Sequence, residues 1–367
     1  MPSNDLLKEA ERVMVVCNAC RYCEGFCAVF PAMELRRAFS AEDLKYLANL
    51  CHNCRSCYYA CQYAPPHEFD LNIPKTLARL RLQTYEEFTW PGYFSGLFRN
   101  NGITVSLVTA FCVSMLVLLT FLLQDSSAVF ATHLGDNAFY KVIPYELMVV
   151  PFSVLGLYVF AALLLGFVNF WRGTGGKMAD FFELQANARA IRDALQLKYL
   201  DGGGYGCNYP DERFSYARRS FHHLVFYGFM LCLASTTVAA LYHHLLHLSA
   251  PYPFWSWPVI LGTCGGVAML IGTGGLLYLK KRMDPEPAAP RAFGMDMGFL
   301  VLLALTSLTG LLLLFLRETP VMGTLLALHL GVVAALFILM PYGKFIHALY
   351  RYAALVRNAS EQARDGK

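Results

Sequence analysis

Charge is scarce in this chain and strand patterning is missing from it. Only 15% of its 367 residues are Asp, Glu, Lys or Arg, while 56% are hydrophobic, a balance outside that of an ordinary soluble domain. No stretch alternates apolar and polar side chains with the period of two that a half-buried strand requires, so helices are the regular element expected. The glycine-rich segment 201–210 is preceded by no strand and followed by no Gly-Lys-Ser/Thr. That excludes a phosphate-binding loop and leaves a tight turn shaping the cytoplasmic face. No signal peptide is recognisable, which argues against an oxidising compartment, and no nucleic-acid partner is expected.

What the chain does have is cysteine on a grid. Cys17, Cys20, Cys23 and Cys27 follow a C-x2-C-x2-C-x3-C spacing that returns at Cys51, Cys54, Cys57 and Cys61. Three thiolates spaced by two residues can wrap a short loop around one cubane iron–sulfur cluster. The fourth of each run ligates the other cluster when two runs occur. The expected metal ligands are therefore Cys17, Cys20, Cys23 and Cys61 for one [4Fe–4S] cluster, and Cys51, Cys54, Cys57 and Cys27 for the second. Zinc favours two separated knuckles, so it is the weaker reading. His52 and His67 lie near these runs and, with eight thiolates available, are expected to be neighbours of the clusters or surface groups, not ligands. Cys112, Cys232 and Cys264 read as small buried hydrophobes, and Cys207 stands in the glycine-rich segment.

Six apolar segments reach the roughly 20 residues a membrane-crossing helix needs: 103–123, 147–170, 221–246, 258–279, 297–316 and 322–349. Lys344, near the end of the sixth, is expected to snorkel to the interface. Lys and Arg crowd the loop 171–220, the fourth loop and the C-terminal end, whereas the opposite loops hold only Lys141 and Arg317. Both termini are therefore expected in the cytoplasm. The fold class is all-α: an N-terminal α-helical ferredoxin-like domain (1–100) with two [4Fe–4S] sites, a six-helix transmembrane haem and quinone domain (101–350) with a cytoplasmic loop at 171–220, and a cytoplasmic tail (351–367). Ser40 with Asp43 predicts a capped helix between the cysteine runs, and residues 72–83, with Pro74 near their start, predict another.

Seven of the ten histidines fall at or within two of these membrane segments, where ionisable groups are costly and usually functional. The third carries His222 and His223 at its cytoplasmic end and His243, His244 and His247 at the other. The sixth carries His329 near the outer side and His347 near the inner. Eighteen residues along a continuous helix is about five turns, so His329 and His347 are expected on one face. Facing helices can supply paired axial imidazoles to haem b. The inner pair would join His347 to His222 or His223, and the outer pair would join His329 to His243, His244 or His247, giving one or two haems. The competing reading makes some of them interfacial histidines bonded to backbone or lipid headgroups. Arg218 and Arg219 read as membrane anchors, or as groups that dock headgroups, an acidic partner or haem propionates.

The paired cysteine runs, the segment 203–210 (GGYGCNYP) and the segment 217–236 (ARRSFHHLVFYGFMLCLAST), followed by Tyr242-His243-His244, resemble the tricarballylate-utilization protein B family, also called citrate-utilization protein B. The resemblance covers most of the chain. It implies a multi-pass protein of the bacterial inner membrane that reoxidises the FAD of a soluble tricarballylate dehydrogenase and passes electrons through the clusters and b-type haem to the quinone pool. Related fused proteins carry the flavoprotein in the same chain. Here no G-x-G-x-x-G follows a strand, so FAD would belong to a partner. An electron-transfer subunit without substrate-bond chemistry of its own is the preferred reading. A subunit resembling those of heterodisulfide reductase or nitrate reductase would share the path and change the partner. A tricarboxylate transporter would need buried cations at mid-membrane, which these segments lack, and a redox sensor would need an output domain.

Overall fold

The computed structural model describes residues 3–366. Around the cysteines fold α1 (Ser3–Cys20), α2 (Val29–Glu34), α3 (Ala41–Leu50), α4 (Ser56–Tyr59) and α5 (Ile73–Phe88). The predicted caps are present. Ser40 Oγ accepts from the Asp43 amide while the Asp43 carboxylate takes the Ser40 amide, and Asn72 Oδ1 accepts from the Lys75 amide at the start of α5. After these come α6 (Asn101–Leu123), the short α7 (Ser126–Val129), α8 (Tyr145–Gly173), the short α9 (Met178–Phe181) and α10 (Leu184–Leu195). A two-residue hairpin pairs β1 (Cys207–Asn208) antiparallel with β2 (Phe214–Ser215). The chain ends with α11 (Ala217–Leu246), α12 (Trp257–Arg282), α13 (Pro290–Phe315), α14 (Met322–Leu339) and α15 (Ile346–Arg364).

Six spans are long and apolar enough to cross a membrane, the mark of a multi-pass membrane protein: α6, α8, α11, α12, α13 and the stretch Met322–Arg364. With lipid outside, packing among them depends on close approach. At Gly228 of α11 and Gly265 of α12 the backbones come so near that a Cβ on either residue would stand under 3 Å from the other's carbonyl oxygen.

The sixth span is not one helix. Pro341 lacks the amide a helix needs and crowds the preceding turn, so α14 gives way to a 3-10 turn at Met340–Tyr342, and Gly343 is extended before α15 begins. The carbonyls released there find donors elsewhere: Thr89 Oγ1 bonds Pro341 O at 3.1 Å, and Asn101 Nδ2 bonds Tyr342 O at 2.8 Å. The expected helical phase between His329 and His347 therefore does not hold. Nor does Lys344 snorkel freely, since its Nζ pairs with Asp296 at 2.7 Å, and Asp296 also takes Lys280 at 2.5 Å. Residues 351–364, expected as a tail, belong to α15 and pack into the head. Tyr350 and Val356 of α15, Phe170 and Trp171 of α8, and Met14, Leu47 and Tyr85 of the head share a single hydrophobic core.

Candidate functional site

The first cysteine quartet forms where α1 ends. Cys17 and Cys20 lie on its last turn, Arg21 adopts a left-handed backbone (φ 56°) that reverses the chain, and Cys23 follows. Cys61 arrives from the second run. The four line one cavity of about 230 Å³, closed on its inner side by Phe30, Leu71 and Ile73. Tyr22 at the rim is 72% exposed. Burial, and then the neighbouring Cys61 sulfur, push the Cys17 and Cys23 thiols up to about 12. Such thiols ionise only beside a compensating positive charge.

Cys27, Cys51, Cys54 and Cys57 form the second quartet, deeper in the protein. Burial raises the Cys27 and Cys57 thiols well above the usual range, and each also senses Cys54 and Cys51, with a smaller effect of Cys23. Left-handed residues Asn53 (φ 55°) and Arg55 (φ 69°) wrap the loop, and the Asn53 amide donates to Cys51 Sγ at 3.4 Å. Over this quartet lies the glycine-rich segment. Asn208 N donates to Cys54 O at 3.1 Å, and Gly202 (φ +54°) packs so tightly that a Cβ would meet Ser56 Oγ at 2.8 Å. Cys207 is wholly buried beside Cys54 and Leu200. The glycine run was the available signal for this cover, but nothing local tells what it covers. Among the described residues, no group of three or more His, Cys, Asp or Glu is placed to hold a single metal ion.

Of the seven histidines, the structure brings one expected pair together. The rings of His222 on α11 and His347 on α15 stand 6.3 Å apart at 70°. His347 Nδ1 donates to Lys344 O at 2.5 Å, and His222 Nδ1 is buried without a partner. One helical turn from each histidine is an arginine. Arg218 donates to Asn53 O (2.6 Å) and His52 O (3.2 Å), and Arg351 donates to Cys51 O (3.2 Å). Two helices from the membrane segments thus clasp the same loop of the second quartet. Arg218 is therefore no lipid anchor, and Arg219 is bonded to Gln196 O at 2.8 Å. His52 Nδ1 in that loop donates to Leu50 O at 2.8 Å. Burial, reinforced by Arg351, Arg81 and Arg218, holds its imidazole well below the usual value.

The outer pair is not formed. His329 meets Thr309 Oγ1 of α13 at 2.9 Å, His243 stacks on Tyr145 at 3.9 Å, and His244 Nε2 bonds the Tyr145 hydroxyl at 2.9 Å. His247 is exposed at the end of α11. No ring contact joins His329 to His243, His244 or His247 among the described residues. The reason lies in the packing: α14 lies against α6, α13 and α8, whereas α11 pairs with α12. His223 turns its ring toward Tyr227 at 5.8 Å, away from the His222–His347 contact.

Comparison with known proteins gives a consistent result. A family model described as "Citrate utilization protein B" matches residues 99–367, and one described as "Citrate utilization protein B Fer4-like domain" matches residues 10–87. A protein of Escherichia coli named "Citrate utilization protein B" is 49% identical over 360 residues, covering 97% of this chain and 93% of its own length. No solved structure matches.

Proposed function

The chain belongs to the citrate utilization protein B family, and on that premise we propose that it is a membrane electron-transfer subunit. It takes electrons from the reduced FAD of a soluble tricarballylate dehydrogenase and delivers them to the quinone pool. The carriers are [4Fe–4S] clusters on the two cysteine quartets and a haem b between His222 and His347, with both termini and the head on the cytoplasmic side of a bacterial inner membrane.

The residues fit these groups. The four cysteines of the first quartet line one cavity of about 230 Å³, the kind of space a polynuclear cluster occupies. His222 and His347, whose rings stand 6.3 Å apart, are the residues that would hold a haem iron. Bound there, the clusters and haem supply the one-electron chemistry that a flavin's paired electrons require. The chain's own residues do the positioning. Cys61 and Cys27 tie the two runs to each other, and Arg218 and Arg351 hold the loop of the second quartet one turn from the histidine pair. That double clasp is the observation that carries the proposal, because it makes head and membrane histidines contiguous.

The test is a reduced-minus-oxidised optical spectrum with iron and sulfide analysis on anaerobically purified protein. We expect about nine irons per chain, eight for the two cubanes and one for the haem, and a haem band reoxidised by added quinone. His222→Ala and His347→Ala should each abolish that band, and His329→Ala should retain it. A colourless protein without iron or sulfide would end the proposal, and loss of the band only in His329→Ala would move the haem.

A further inference from the structure

The two quartets differ most in what surrounds them. Arg55 and Arg81 are only 1% and 6% exposed, and Arg218 and Arg351 are half-buried. All four stand at the second quartet. Arg81 and Arg351 donate to the Cys51 carbonyl, Arg218 donates to the next two carbonyls, and Arg55, between Cys54 and Cys57 in sequence, has its Nη1 on Asp284 O at 3.0 Å and its guanidinium over the Tyr209 ring that Arg218 also covers. Arg351 is within electrostatic reach of Arg81 and Arg218, and Arg55 of Arg218.

Among the described residues, none of these four forms an ion pair with a carboxylate. Elsewhere in the same core the rule is kept: Arg36 pairs with Asp43 and Glu361, both at 2.7 Å. Asp284, whose charge reaches Arg55, gives its carboxylate to the Tyr59 hydroxyl at 2.6 Å and the Glu286 amide at 2.9 Å and offers Arg55 a hydrogen bond only through its backbone carbonyl. Arg55 Nε and Arg351 Nε are buried with no partner at all. Four guanidiniums with no carboxylate in ion-pair contact, two of them almost wholly buried, are costly unless an anion stands among them. A cluster held by four thiolates carries net negative charge, and each electron it accepts adds to that charge.

We propose that Arg55, Arg81, Arg218 and Arg351 form a cationic cradle that raises the reduction potential of the cluster on Cys27, Cys51, Cys54 and Cys57 above that of the cluster on Cys17, Cys20, Cys23 and Cys61. Fixed positive charge in a low-dielectric site stabilises the reduced, more negative state. Among the described residues the first quartet has no such cradle: Arg21 at its rim is exposed to solvent, where its field is screened. The consequence is a direction. One electron leaves the outer site and arrives at the inner one, with no bond made and no proton moved, and the site that receives it touches the histidine-bearing helices. This inference rests on the proposed cluster ligation.

The experiment is an EPR-monitored redox titration of the full-length protein, with iron and sulfide measured on each sample. Cys17→Ser identifies which signal belongs to the outer quartet. In the wild type the inner cluster should titrate at the higher potential. Arg218→Gln and Arg351→Gln, which keep a hydrogen-bond donor and remove the charge, should each lower the inner midpoint and leave the outer one in place. Arg351→Lys should stay near the wild-type value, which a purely structural hydrogen-bonding role would not require, and Arg21→Gln should move neither. An outer midpoint above the inner one, or unmoved inner midpoints in Gln variants that retain full iron, would overturn the cradle with the ligation intact. Should a Gln variant lose iron, the wild-type order alone decides. Absence of any cluster signal in the wild type would overturn the ligation and the cradle with it.

Discussion

Cys27 and Cys61 are the residues that each leave their own run for the other quartet, and the exchange follows from chain geometry. A C-x2-C-x2-C loop can cover only three corners of a cubane, so the fourth thiolate comes from outside it. In the structure Cys61 lines the cavity of Cys17, Cys20 and Cys23, and Cys27 senses Cys51 and Cys54. Cys61→Ser should therefore weaken or convert the EPR signal of the outer cluster alone, and Cys27→Ser that of the inner one. The reverse assignment would show that each run feeds its own cluster. The two runs themselves were legible because they depend on spacing within a short stretch. The arginines were not. Arg218 and Arg351 sit at the ends of apolar segments, where cations ordinarily serve the membrane surface. Their real partners, the carbonyls from Cys51 to Asn53, lie far away in the chain, and hydrogen bonds to backbone leave no side-chain signature to read.

At the scale of elements, six membrane helices could be read from hydrophobic length, since that signal is additive over a window and insensitive to neighbours. The break in the sixth was harder, although Pro341 and Gly343 are both visible. A proline in a membrane helix is often absorbed by a kink, and only a donor for each freed carbonyl permits a full break. Asn101, at the first turn of α6, is such a donor. It is 3% exposed, and its Nδ2 holds Tyr342 O at 2.8 Å. Asn101→Ala should leave that carbonyl unsatisfied at a cost of about 1–3 kcal/mol. The expected outcome is a lower melting temperature in detergent, with the band of the haem proposed at His222 and His347 retained until unfolding. An unchanged melting temperature would mean that water or another donor replaces the amide. The helix pairing that separates His329 from His243 and His244 was not legible either, because all six segments are apolar enough to face any neighbour or lipid. Their partners are chosen by close contacts such as Gly228 against Gly265.

For the molecule as a whole, the composition shift near residue 100 suggests two separable units, yet the packing joins them. Tyr350 of α15 is 0% exposed and stacks on Phe170 of α8 at 4.4 Å, while its other side meets Tyr85 of α5 at 5.8 Å. One side chain therefore touches a membrane span and the cysteine-bearing head together. Below it, Asp296 of α13 lies between Lys280 of α12 and Lys344 before α15, tying three more segments to the same level. If head and bundle share one core, they should unfold as one cooperative unit. Removing the ring in Tyr350→Ala creates a buried cavity that costs about 3–5 kcal/mol, and both parts should feel it. Thermal unfolding followed at once by cluster absorbance and by far-ultraviolet circular dichroism should give coincident transitions in the wild type, and these should move down together in the variant. A head that bleaches well before the helices melt, in either protein, would show that α15 is attached to the head without coupling it to the bundle. The clasp at Cys51 would then be a local contact with no leverage on the membrane helices.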